Sequence, residues 1–217
     1  MKRLLLCLAL AALPSVCGSR QATVAPIAIY TQFEQEPSAD VREAFQSELD
    51  AIMHPLGLRF EWRSLDGADH GAITELVVVE FKGHCDADRL LPVEIVTGAL
   101  GWTHISEGVI LPFSAVDCDA VRGFLQRDLL AGPATHRNQV YGRALGRVLA
   151  HEIYHVLSGT GHHGSCGVAK SGFTVMDLVA REFVFDVSEL RKLAASKAYQ
   201  ILERAAAAVS VTPVAMP

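Results

Sequence analysis

The sequence predicts an α+β domain, and three observations carry that expectation. Short β-branched and apolar runs alternate with helical spacing through the first half of the chain. One long stretch, Arg137 to Leu157, keeps apolar side chains at helical spacing throughout. A second stretch of helical spacing lies near the C-terminal end.

Taken in order, Val24 to Tyr30 is an apolar run that reads as a strand. Pro37 to Met53 places Val41, Phe45, Leu49 and Ile52 at helical spacing, and Pro55 with Gly57 stops that helix. Leu58 to Trp62 alternates apolar and polar residues as a half-buried strand does, and Ala72 to Phe81 is β-branched enough for a central strand. A strand-helix-strand unit favours parallel pairing. Lys82 to His104, with Gly83, Pro92, Gly98 and Gly101, reads as a long connection, and connections of that length are often functional. Thr103 to Pro112 reads as a strand or hairpin. Ala115 to Leu130 reads as a helix with Val116, Phe124, Leu125 and Leu129 as core positions, ended by Gly132 and Pro133. Arg137 to Leu157 is the long buried helix, stopped by Ser158-Gly159, and Gly159 to Gly172 is a Gly-rich loop. Val187 to Ala208, opened by Ser188, is the C-terminal helix, with a frayed tail from Val209 to Pro217.

Half of the 217 residues are apolar and a fifth are charged, enough to bury one core; residues 21–217 read as a single domain with no internal repeat. Before it, Lys2 and Arg3 precede an unbroken apolar run from Leu4 to Leu13 and small residues around Ser15 to Ser19. That is the layout of a secretory signal peptide over residues 1–20, and the run is well short of the roughly 20 residues needed to span a bilayer. The expected location is therefore secreted or periplasmic; Cys17 sits in a poor lipobox, so lipidation is a minor alternative. Loss of residues 1–20, with Lys2, Arg3 and Arg20, takes the formal charge from −5 to −8, and no basic block remains, which makes nucleic acid an unlikely partner. Of the mature cysteines, Cys85 and Cys118 sit just past apolar, strand-like runs and Cys166 lies in the Gly-rich loop. A Cys85–Cys118 disulfide is favoured, with three unpaired thiols as the alternative.

The chemistry lies in the segment HEIYH. His151 and His155 are four residues apart, so on a helix both imidazoles point the same way and can meet on one tetrahedral zinc ion. Glu152, rotated by about 100° from His151, lies beside the metal, where it can act as general base. His, Glu and His in an otherwise apolar helix would be costly to bury without a compensating partner. The third ligand comes from His162 or His163. A GxxH step counted from Gly159 favours His162, and His163 could reach the same point after a wider turn; Cys166 is a weaker choice.

HEIYHVLSGTGHH followed by Met176 resembles the metzincin zinc peptidases, whose pattern is HExxHxxGxxH with a later methionine turn. The match departs by one residue: the glycine is at 159 instead of 158, and strict spacing would put the third ligand at Gly161, which has no side chain. The resemblance covers His151 to Met176. It implies a zincin-like fold, a mixed twisted sheet packed on the active-site helix, and a zinc metalloendopeptidase that acts as a monomer on peptide or protein substrates. It further implies that an edge strand binds extended peptide by main-chain hydrogen bonds, here Ile105 to Leu111, and that Met176 packs beneath the histidines. The alternative function is a non-catalytic secreted binding domain with a structural or vestigial zinc site.

Other residues carry weaker expectations. Tyr141 and Tyr154 could stabilise an oxyanion, but tyrosines in a buried helix are more often packing. Asp177 could orient a ligand histidine or cap the turn that follows. His54, His70, His84, His104 and His136 read as surface or loop histidines.

Overall fold

A computed structural model of the chain describes residues 26–65, 67, 71–88, 98–196, 199–201 and 203–204. The expected signal peptide, His70, Pro92 and the C-terminal tail lie outside these residues. No helix among those described is long and apolar enough to cross a membrane.

The α+β expectation holds, with a five-stranded mixed sheet. Strand β1 (Ile27–Gln35) leads through helix α1 (Ala39–Met53) and a 3-10 turn (His54–Leu56) to β2 (Phe60–Ser64); then come β3 (Glu75–His84), β4 (Gly101–Ser106) and β5 (Val109–Asp117). The sheet order is β2-β1-β3-β5-β4, parallel throughout except for β4, which runs antiparallel along the edge. Along β3, Val77, Val79 and Phe81 are buried while Val78, Glu80 and Lys82 are only half-buried, so the helices cover one face. β3 lies at the middle of the sheet, the central position expected of its β-branched run.

The hairpin between β4 and β5 turns at Glu107 and Gly108, whose φ angles are 52° and 80°. Two positive φ values define the type I′ turn that matches strand twist. The proposed edge strand Ile105 to Leu111 therefore straddles this turn, and the edge strand is Gly101–Ser106. Farther along, the register shifts: Thr103 pairs with Ser114 but Ile105 pairs with Ile110, so three residues of β5 oppose His104. Pro112, which has no N–H to give a ladder, sits in that bulge.

After β5, helix α2 (Cys118–Ala131) starts three residues later than the sequence suggested, because Ala115 and Val116 belong to the strand; Asp117 caps it, accepting from Ala120 N at 2.8 Å. Cys118 is joined to Cys85, just past β3, by a disulfide. Helix α3 (Ala134–Ser158) then runs 25 residues through the core to Gly159, whose left-handed φ of 62° ends it. Two of its glycines are demanded by close approach. A Cβ at Gly142 would lie 2.6 Å from Ala44 Cβ, and one at Gly146 would lie 2.6 Å from the Phe45 carbonyl. α3 thus lies directly against α1, and beyond that seam it continues under β5 and β4.

Two short helices follow, α4 (Val175–Val179) and α5 (Val187–Ala194). α5 is capped by Asp186, which accepts from Glu189 N, and not opened by Ser188. It breaks after Ala194, and helical residues return at 199–201 and 203–204; residues 205–208 of the expected helix lie outside those described. Ser196, whose hydroxyl accepts from Tyr199 N at 3.2 Å, interrupts the apolar periodicity there.

Candidate metal centre

The last two turns of α3 bring His151, Glu152 and His155 into the core, each less than a tenth exposed. The Gly-rich loop then folds back over them. Three contacts hold it in place. Gly164 N donates to Ala169 O at 2.7 Å, Val168 N donates to Val184 O at 3.2 Å, and the buried Glu189 of α5 packs on Gly164 while accepting the Tyr154 hydroxyl. Gly167, at φ 65°, lies so close to Val184 that a Cβ would come within 2.2 Å of its carbonyl oxygen.

This loop orients the two helical histidines as well as adding a third. His151 Nδ1 is 2.7 Å from the Val168 carbonyl and His155 Nδ1 is 2.7 Å from the Thr160 carbonyl. A carbonyl only accepts, so each Nδ1 carries the proton when the ring is neutral. Burial drives the His151 pKa down to about 4 and also lowers that of His155, so both are neutral near pH 7. Their Nε2 atoms then bear lone pairs, and these face each other at 3.1 Å. Two lone pairs at that distance repel unless a cation lies between them. Two tetrahedral ligands at roughly 2.0–2.1 Å from zinc stand about 3.3 Å apart, close to what is seen.

His163 supplies the third nitrogen: one ligand atom from each of His151, His155 and His163 lies within 4.8 Å of the others, a group that could hold a metal ion. His162, slightly favoured by the spacing, is not in that group; its backbone N–H is bonded to Thr160 Oγ1 at 3.1 Å. The wider turn to His163 absorbs the residue by which the loop is out of step. The exposed Cys166 is not in the group.

Glu152 lies beside the histidines, its Oε2 accepting the Thr103 hydroxyl at 2.7 Å from the edge strand. Burial pushes its carboxyl up to about 7 against the pull of that hydroxyl. Two adjoining cavities of about 290 and 270 Å³ open onto His151 and Glu152. The first runs along β4 past Trp102, Thr103 and Ile105, and the second is walled by Leu100, Phe124, Val148 and Phe173.

Met176 does not lie under the histidines; it is 70% exposed on α4. Phe173 takes that place, its ring edge-on to His151 at 5.3 Å between centroids. Asp177 forms a capping box with Thr174 and touches neither ligand ring. Tyr141 bonds the Cys118 carbonyl at 2.7 Å and Tyr154 bonds Glu189, so both tyrosines are packing residues.

A second group that could hold a metal, His84, Asp86 and Asp88, went unread in the sequence. Its atoms already have protein partners. His84 Nδ1 meets Gln35, Asp86 accepts Ser38 N, and Arg122 sits on the carbonyls of His84 and Asp86. A cleft of about 620 Å³ over the α1–α3 seam, lined by Asp40, Glu43, Glu48, Arg143 and Arg181, is remote from the histidines.

Comparison with protein-family models finds no match, and comparison with curated proteins finds none either.

Proposed function

We propose that this chain is an exported zinc-dependent metallopeptidase. The observation that carries the reading is the convergence of imidazole lone pairs beside a buried carboxylate at the edge of a sheet. Three histidines with one position open is the donor set of catalytic zinc, and imidazole suits that metal. Bound there, zinc lowers the pKa of a water to about 7 and polarises a carbonyl.

Glu152 takes the proton of the attacking water and passes it to the leaving amine. Burial raises its affinity for the proton, and a cation bound beside it would favour the ionised form that takes the proton from water. Strand β4 offers its outer edge to an extended peptide, which binds by main-chain hydrogen bonds, and the pocket of Leu100, Phe124, Val148 and Phe173 takes an apolar side chain next to the reacting bond. Export is supported by the N-terminal leader pattern and by the Cys85–Cys118 bridge, since disulfides persist in oxidising compartments.

The test pairs the wild type with Glu152→Ala, both loaded with zinc. The variant keeps the metal and loses at least about 100-fold in peptide hydrolysis. Activity near wild type in Glu152→Ala would remove the role given to the carboxylate. A zinc-loaded wild type that cuts no peptide would leave the non-catalytic binding domain standing.

A further inference from the structure

Glu152 is held by one hydroxyl of β4, which a hydroxyl of the neighbouring strand β5 backs in turn. Thr103 Oγ1 lies 2.7 Å from Glu152 Oε2 and 3.2 Å from the Glu152 backbone carbonyl. Thr103 has a single proton to give, and the shorter bond, to a carboxylate, takes it. Thr103 Oγ1 must therefore accept at its other contact, Ser114 Oγ at 3.1 Å. The direction of the chain follows: Ser114 donates to Thr103, and Thr103 donates to Glu152.

Ser114 is 3% exposed in the interior of β5, directly opposite Thr103 in the β4–β5 ladder. A buried hydroxyl costs stability unless it is bonded, and among the described residues its one side-chain partner is Thr103. Gly101 closes the other side of the carboxylate: a Cβ there would stand 3.1 Å from Glu152 Oε1 and 2.8 Å from Val148 Cγ1. Gly101 and Thr103, two apart on β4, face α3, while Trp102 between them turns to Lys82 on the opposite face of the sheet. The carboxylate is thus seated between two residues of the edge strand, with Oε2 bonded and no hydrogen bond from a described residue reaching Oε1.

We propose that Thr103, backed by Ser114, is a positioning residue that holds the Glu152 side chain in one orientation and so ties the general base to the strand on which substrate docks. The inference rests on the peptidase reading for its catalytic consequence, while the seating of the carboxylate can be tested apart from it. Thr103 acts through Glu152 and does not itself meet the reacting atoms. Its loss should leave peptide docking on β4 intact and misplace the base.

The experiment compares Thr103→Val, which removes the hydroxyl at constant shape, with Thr103→Ser, which keeps it, and with Ser114→Ala. For zinc-loaded Thr103→Val, kcat should fall roughly 10- to 100-fold with KM within about twofold of wild type. Thr103→Ser should recover kcat to within about threefold of wild type, and Ser114→Ala should fall between the two. Crystal structures of wild type and Thr103→Val give a readout independent of turnover: the Glu152 carboxylate should move by more than about 0.5 Å from its wild-type place. An unmoved carboxylate, an unchanged kcat, or a Thr103→Ser protein as impaired as Thr103→Val would each overturn the proposal. Wild type without hydrolysis would sink the peptidase reading, and the crystallographic comparison would still decide on Thr103.

Discussion

The buried polar stretch of α3, from Arg143 to His155, has two halves, the arginines and then the histidines, and they satisfy their side chains in opposite ways. In the first half, Arg147 is fully buried, yet its Nε meets Glu48 at 2.6 Å and its two terminal nitrogens meet the Asp177 and Ala180 carbonyls at 2.7 Å each. Arg143 joins the same Glu48 and the same Ala180 carbonyl. The guanidinium groups cap the C-terminal end of α4 while pinning α1, and the cluster is complete within the protein. In the second half, the loop satisfies only one nitrogen of each histidine and turns the other lone pairs on one another. A buried cluster that closes on itself is architecture. One that aims its unshared pairs at a common point is built for something outside the chain.

The largest way to break the comparison is Arg147→Ala. It leaves the nearly buried Glu48 to Arg143 alone and takes the donor from the Asp177 carbonyl, and should cost about 3–5 kcal/mol in urea unfolding. The cost should be the same with or without zinc; recovery on adding metal would mean that the halves are not independent. Next comes metal itself. Zinc at about 100 times its Kd should raise stability by about 2.7 kcal/mol, a gain that chelation removes. His163→Ala should abolish that gain and leave the metal-free protein within about 0.5 kcal/mol of wild type, as suits an exposed residue. His162→Ala should keep the gain. The opposite pattern would return the third ligand to His162.

The same contrast explains what could be read from the chain alone. HEIYH was legible because bringing two histidines and the carboxyl beside them together on one helix needs only the 3.6-residue period, and Gly159 marks its own stop. The third histidine of the group was not, because the choice between His162 and His163 depends on a loop shaped by Glu189, Val184 and Val168. Met176 misled for a similar reason: its spacing from the histidines fits, but the capping box of Thr174 and Asp177 starts a helix there and turns the methionine outward. The edge strand was misplaced because Glu107 takes a positive φ usually left to Asn, Asp or Gly. The Gly142–Gly146 pair did leave a signal. Two glycines one turn apart in a helix are costly unless another backbone comes close.

That seam gives a smaller test. Gly146→Ala improves helix propensity by about 1 kcal/mol, but its methyl would meet backbone, at 2.6 Å from Phe45 O and 3.2 Å from Phe45 Cα. Backbone cannot swing aside as a flexible side chain does, so overpacking of about 1–3 kcal/mol should outweigh the propensity gain and lower the melting temperature. A variant more stable than wild type would show that α1 and α3 can part at no cost.

The smallest effect tests whether α4 is held by charge. The Asp177 carbonyl serves Arg147, while its carboxylate accepts Thr174 N at 2.6 Å and the Lys170 ammonium. Burial pushes its pKa up, but the bonds from Lys170 and Thr174 prevail and hold it at about 2, below the ordinary 3.8. A carboxyl depressed by folding stabilises the protein fully above its unfolded value, and that contribution is lost as pH falls from 3.8 through about 2. Because the side chain keeps contact with water, screening limits the contribution to below about 1 kcal/mol. Asp177→Asn should therefore be slightly less stable than wild type near pH 6, with the gap closing as pH approaches 2 in parallel denaturant titrations. A gap that persists in acid would assign the role of Asp177 to the shape of its capping box, leaving Arg147 as the charge that fastens α4 to α3.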